Sequence, residues 1–112
     1  MFVTVDEGGG FYDSGFIQWV DFFGTGPRIP MIAVSPFSTG GHISHVYNEH
    51  SSVVKFIEWN WMLNTKLSGR SRDNLPNPQA GANPYVPANM PAIGDLFDLF
   101  NFQNAQAQQG QQ

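Results

Sequence analysis

The chain has 112 residues, a formal net charge of −4 and no cysteine, so it has room for at most one domain and offers no disulfide, thiol nucleophile or cysteine metal site. Apolar residues make up 41% and aromatic residues 14%, too many large apolar side chains for a chain that is disordered throughout. Charged residues are only 12%, nine acids against five bases, which argues against nucleic acid as a partner because the basic footprint for a phosphate backbone is missing.

In chain order, Phe2-Val3-Thr4-Val5 has strand propensity and stops at Asp6-Glu7-Gly8-Gly9-Gly10, where glycines end either regular structure. Met1 to Val5 reaches that acid too early for a signal peptide, and no apolar run approaches the roughly 20 residues of a membrane span. A long loop follows. Ile29 to Val34, bounded by Gly26-Pro27 and Ser35-Pro36, reads as a strand buried on both faces, with Pro30 tolerated near its start. From Ser51 or Ser52 to about Asn64 a helix is expected, with a serine hydroxyl as its N-cap. Its apolar stripe consists of Val53, Val54, Phe56, Ile57 and Trp61. Strand, long loop, strand, loop and helix suggest part of a layered α/β sheet. Two strands and one helix bury little apolar surface, so these elements read as the edge of something larger.

Composition divides the chain into residues 1–72, 73–102 and 103–112. Residues 73–102 hold five of the eight prolines, which favours extended backbone wrapped over a surface. At their end Ile93, Leu96, Phe97 and Phe100 recur at the spacing of a short amphipathic helix. Residues 103–112 contain six glutamines and read as a disordered tail.

Two constellations carry chemistry. Asp6 and Glu7 stand at the carboxyl end of a strand, where α/β sheets gather ligands and where carboxylate oxygens suit a hard divalent cation. A plain strand-to-turn junction uses the same residue types. The second is Gly40-Gly41-His42-Ile43-Ser44-His45-Val46-Tyr47-Asn48-Glu49-His50. Its imidazoles can bind a metal or serve as acid and base near neutral pH; equally, His50 and Glu49 can belong to a helix start, with His42 merely exposed. Among the other candidates, Arg28 beside Gly-Pro reads as an anchor for a carbonyl or carboxylate. Arg70-Ser71-Arg72-Asp73 reads as a solvated turn with local ion pairing, and Phe11, Tyr12, Phe16, Trp19, Phe22 and Phe23 read as core packing in preference to a pocket. Ser14, Ser35 and Ser38 lack the setting of a nucleophile elbow.

Four blocks in order, Val3 to Asp13, Gly26 to Pro36, Gly41 to Tyr47 and His50 to Glu58, resemble the C-terminal blocks of the bacterial phosphoesterase family of acid phosphatases and phosphocholine-type phospholipases C, in the alkaline phosphatase superfamily. The resemblance implies a partial alkaline-phosphatase-like α/β sandwich and hydrolysis of a phosphate ester with a divalent metal ion as cofactor. It places Asp6 and Glu7 as metal ligands, His45 near the phosphate or leaving group, and His50 at a second recurrent histidine. It also implies export to the periplasm or medium. Two positions depart from the family pattern, with Gly8 where many members have His and Glu49 where Asp is frequent. The family's N-terminal metal-binding Glu-Asn motif and its Ser or Thr nucleophile have no counterpart in these residues. The expected state is therefore a C-terminal portion that is inactive alone and needs the N-terminal remainder of the catalytic domain. The alternative is a non-catalytic metal- or phosphate-binding module or a non-functional remnant.

Overall fold

The computed structural model describes all residues except 14, 20, 21, 23, 62–65, 84 and 104–112. The chain divides into two compact units, residues 1–42 with 99–112, and residues 43–98. Among the described residues it is a small α/β structure with two short strands, one α-helix and two single 3₁₀ turns. Among the described residues no helix is long and apolar enough to cross a membrane.

In the first unit, strand β1 (Phe2–Thr4) pairs antiparallel with strand β2 (Met31–Ala33), aligning Phe2 with Ala33, Val3 with Ile32 and Thr4 with Met31. Val34 N donates to Met1 O at 2.9 Å and the Met1 amino group donates to Val34 O at 2.8 Å, which carries the ladder one pair further. Thr4 Oγ1 donates to Pro30 O at 2.8 Å, so the ladder continues through a side chain where proline ends the strand. The expectation that β2 is buried on both faces is overturned. Ile32 is 59% exposed and Val34 50% exposed, because a two-stranded ribbon leaves an open face where a parallel sheet would carry helices. Residues beyond Phe37 run against those around Phe100. Thr39 N donates to Leu99 O at 3.0 Å and Asn101 N donates to Phe37 O at 2.7 Å. Phe100 meets Phe2 edge-on at 5.9 Å.

An ion pair between Asp13 and Arg28 ties the long loop of this unit. Asp13 accepts from Arg28 Nε at 2.8 Å, Arg28 Nη2 at 2.7 Å, Arg28 N at 2.8 Å and Gly15 N at 2.9 Å. The guanidinium hydrogen bonds, aided by the two amides, hold the Asp13 carboxyl far below the usual carboxylate range. The expected anchoring role of Arg28 is thus observed. The aromatic residues of the loop do not pack as a core, since Phe11, Tyr12, Trp19 and Phe22 are exposed; Phe16 is half-buried and Phe23 lies outside the described residues.

In the second unit, helix α1 spans His50–Trp61; the expected end near Asn64 lies outside the described residues. Glu49 immediately precedes the helix. Its N–H donates to Ser52 Oγ at 3.1 Å while Ser52 N donates to Glu49 O at 2.9 Å, so the serine acts from inside the first turn and not as the residue before it. The expected apolar stripe is buried only in part, at Phe56, with Val53 and Val54 half-buried. Ser52, Lys55, Phe56 and Glu58 are buried, whereas Ile57 is 42% and Trp61 67% exposed.

The cause lies in what packs against the helix. Residues 75–95 bring carbonyls, and Lys55 Nζ donates to Leu75 O at 2.8 Å, Ile93 O at 2.8 Å and Asn77 Oδ1 at 2.5 Å. All three ammonium protons are used. Burial pushes the Lys55 pKa down, opposed by the nearby Asp95 and Asp73 charges. The small apolar core beside this node consists of Phe56, Ala92, Ile93 and Leu96, with Phe97 against Phe56 at 4.9 Å.

The amphipathic helix expected from Ala92 onward is absent; a 3₁₀ turn at Phe97–Leu99 stands there. Its backbone donors are spent elsewhere. Ile93 N donates to Pro76 O, Gly94 N to Tyr47 O and Phe97 N to Asp95 Oδ1, and Leu96 takes a positive φ of 65°, which a helix does not permit. Gly94 permits the close approach to Tyr47, because a Cβ there would lie 2.7 Å from a Val46 methyl and overlap Asn48.

Two outcomes are expected. Lys55→Met keeps the stem and removes the ammonium, leaving three acceptors unmatched, and should lower stability to denaturant by roughly 3 kcal/mol. A carboxylate whose folded value lies below its ordinary 3.8 favours the folded state when charged. Its contribution is complete above that pH and is lost as pH falls toward the folded value. Carbon-13 titration of Asp13 should therefore give a midpoint well below 3.8 that rises in Arg28→Gln; an ordinary midpoint in the unsubstituted chain would remove the ion pair from the account.

Candidate functional site

Asp6 and Glu7 follow β1 after the single residue Val5 and are exposed. The glycines after them set the path of the loop. Gly9 and Gly10 have φ of 63° and 77°, which only glycine adopts at little cost in succession, and a Cβ on Gly8 would lie 2.6 Å from Pro27 Cγ. The run therefore turns the chain and lets it pass close to Pro27. Gly8, Pro27 and Pro30 line a shallow depression of about 410 Å³ with Phe11, Tyr12, Asp13 and Arg28.

Carboxylate oxygens match the donor chemistry of a hard divalent cation, but two adjacent ligands do not complete a coordination shell. Among the described residues no group of three or more His, Asp or Glu side chains is placed to hold a metal ion. The donor type fits, and the donor number among the described residues does not.

The histidines lie in the second half of the constellation. His42 is exposed, and its N–H donates to Thr39 O at 3.2 Å. His50 is the first residue of α1 and is exposed. His45, also exposed, has its Nδ1 at 2.9 Å from the Tyr85 hydroxyl, with the rings edge-to-face at 5.3 Å.

Glu49, between these histidines, is committed to structure. Arg72 donates to it from Nε at 2.6 Å and Nη2 at 2.5 Å, and Tyr47 OH donates at 3.0 Å. The two-pronged pair is partly buried, with side-chain exposures of 28% for Arg72 and 12% for Glu49. This corrects the reading of Arg70 to Asp73 as a solvated turn with local pairing. Arg72 reaches 23 residues back along the chain, and Asp73 is buried.

Asp6 and Glu7 belong to one unit, and His45 and His50 to the other. The partners that spacing did not disclose are Asp13 for Arg28, Arg72 for Glu49 and Tyr85 for His45. Each is remote in sequence, and only for Arg28 did the residue type itself, a fork-shaped cation beside Gly-Pro, signal a carboxylate.

Residues 1–64, more than half of the chain, match the Phosphoesterase family. The hemolytic phospholipase C of Pseudomonas aeruginosa is 30% identical over 125 residues, covering 92% of this chain and 15% of that protein. The non-hemolytic phospholipase C of Burkholderia pseudomallei is 31% identical over 99 residues, covering 88% of this chain and 12% of that protein. A non-hemolytic phospholipase C of Pseudomonas aeruginosa is 32% identical over 82 residues, covering 73% and 9%. The chain thus spans less than a sixth of the length of these relatives. No solved structure matches. With the ordered blocks of residues 3 to 58 inside the matched region and the same relationship extending over most of the chain, the chain belongs to the phosphoesterase family.

Proposed function

We propose that this chain forms the C-terminal part of a phosphoric ester hydrolase of the acid phosphatase or phospholipase C type, within an alkaline-phosphatase-like sandwich. The observation that carries the reading is the family match over residues 1–64. On this reading Asp6 and Glu7 supply two ligands to a divalent metal ion, and that ion, when bound, neutralises phosphate oxygens. His45 meets the phosphate or the leaving oxygen through its imidazole, and His50 lies at a second histidine position of the site. The nucleophile and the remaining ligands come from the N-terminal part of the catalytic domain.

Three features support a partial site. The carboxylates of Asp6 and Glu7 are exposed and lack a third ligand among the described residues. The aromatic residues Phe11, Tyr12, Trp19 and Phe22 on the following loop are open to solvent, a surface the remaining domain would cover. The relatives are several times longer than this chain. The substrate is a phosphate ester, and we place the enzyme outside the cytoplasm.

Two assays test this reading. The chain alone should not hydrolyse p-nitrophenyl phosphate with magnesium, manganese or calcium present, and turnover would contradict the partial-site reading. In a full-length phosphoesterase whose matching segment is replaced by residues 1–64, hydrolysis should persist and Asp6→Ala should reduce it on the order of 100-fold. Undiminished activity in that variant removes Asp6 from the metal site.

A further inference from the structure

Residues 77–89 form a loop closed at its base and turned at its tip. Ala88 N donates to Gln79 O at 3.1 Å, Gln79 N donates to Asn89 Oδ1 at 2.7 Å and Asn89 Nδ2 donates to Asn77 O at 3.0 Å. At the tip, Asn83 accepts from Tyr85 N through Oδ1 at 3.0 Å and from Val86 N through its carbonyl at 3.0 Å. The base is tied to α1, since Asn77 Oδ1 accepts from the buried Lys55 ammonium and Asn77 Nδ2 donates to Asp95 at 2.5 Å. A hydrogen-bonded route therefore runs from the helix to the loop that carries Tyr85. That hydroxyl lies 2.9 Å from His45 Nδ1, 40 residues back along the chain.

We infer that Tyr85 is a positioning residue for His45, holding the imidazole by Nδ1 and presenting Nε2–H to the phosphate ester. This rests on the proposed role of His45. In the neutral ring the phenol O–H donates to Nδ1, which keeps the ring proton on Nε2; in the cationic ring both nitrogens donate and the hydroxyl turns to accept. One partner thus serves both protonation states, and in each Nε2 carries the proton that faces outward. A neighbour that fixes the tautomer and ring plane of a functional histidine affects rate without touching the substrate.

Tyr85→Phe removes only the hydroxyl. In the 112-residue chain labelled with nitrogen-15, long-range imidazole spectra above neutral pH should show the His45 proton held on Nε2. In the variant the ring should relax toward the mixed tautomers of free imidazole, with His42, His50 and the amide spectrum unchanged. A proton on Nδ1, or no change in the variant, would overturn the inference. In the full-length hybrid extended to carry residues 1–103, Tyr85→Phe should lower kcat on the order of tenfold with KM little changed. If His45→Ala abolishes hydrolysis while Tyr85→Phe leaves kcat intact, the positioning role fails. If His45→Ala is harmless, the catalytic placement of His45 fails, whatever the spectra show.

Discussion

A lysine buried to 4% exposure needs acceptors for its ammonium in place of water, and Lys55 finds three on residues that local helix geometry does not supply. Two are backbone carbonyls 20 and 38 residues away, and the third is the amide of Asn77. Asn77 in turn binds Asp95 and receives Asn89, so one side chain joins helix α1, the segment around Ile93 and the base of the 77–89 loop. Together with the buried Phe56, Ala92, Ile93 and Leu96, this polar node orders a segment whose prolines preclude a helix. It also explains why α1 turns Ser52, Lys55 and Glu58 inward. The Glu49–Arg72 pair fastens the start of the same helix to the chain beyond its end.

Much of the element order is legible in the residues. β-branched Val3 and Thr4 form a strand, the acids and glycines after Val5 end it, and His50 to Trp61 form a helix. The orientation of those elements is not, because hydrophobic periodicity reports which face is apolar and not which neighbour will cover it. Val53, Val54, Phe56, Ile57 and Trp61 make a credible stripe, yet of these only Phe56 is buried, and beside it the neighbour that arrives is a strap of carbonyls. The same limit applies at Ile93, Leu96, Phe97 and Phe100. Their spacing suits a helix, but tertiary hydrogen bonds to Pro76 and Tyr47 claim the donors, and Leu96 turns left-handed. For β2, the apolar run around Ile32 suggested burial on both faces, while a two-stranded antiparallel ribbon leaves one open.

For the candidate site, the local features were readable and the remote ones were not. Asp6 and Glu7 stand at the end of a strand, and the positive φ of Gly9 and Gly10 shows what the glycines after them are for. The ordered blocks up to Glu58 pointed to the phosphoesterase family, to which the chain belongs. Partners joined by folding, such as Tyr85 with His45 or Arg72 with Glu49, leave no trace in spacing because they stand 40 and 23 positions apart with helix α1 between them. The two faces of the functional account differ accordingly. The acids are exposed and, among the described residues, belong to no group of three or more His, Asp or Glu placed to hold a metal ion, whereas the imidazole of His45 has the Tyr85 hydroxyl at hydrogen-bond distance.

The central claim is that the Pro/Asn-rich segment is held in place on α1 by the Lys55 node, and amide hydrogen exchange on the chain tests it most directly. The amides of Ile93 and Gly94, which donate to Pro76 O and Tyr47 O, should exchange at least about tenfold more slowly than unstructured amides. Exchange of both at the unstructured rate, with the α1 amides still protected, would contradict the account.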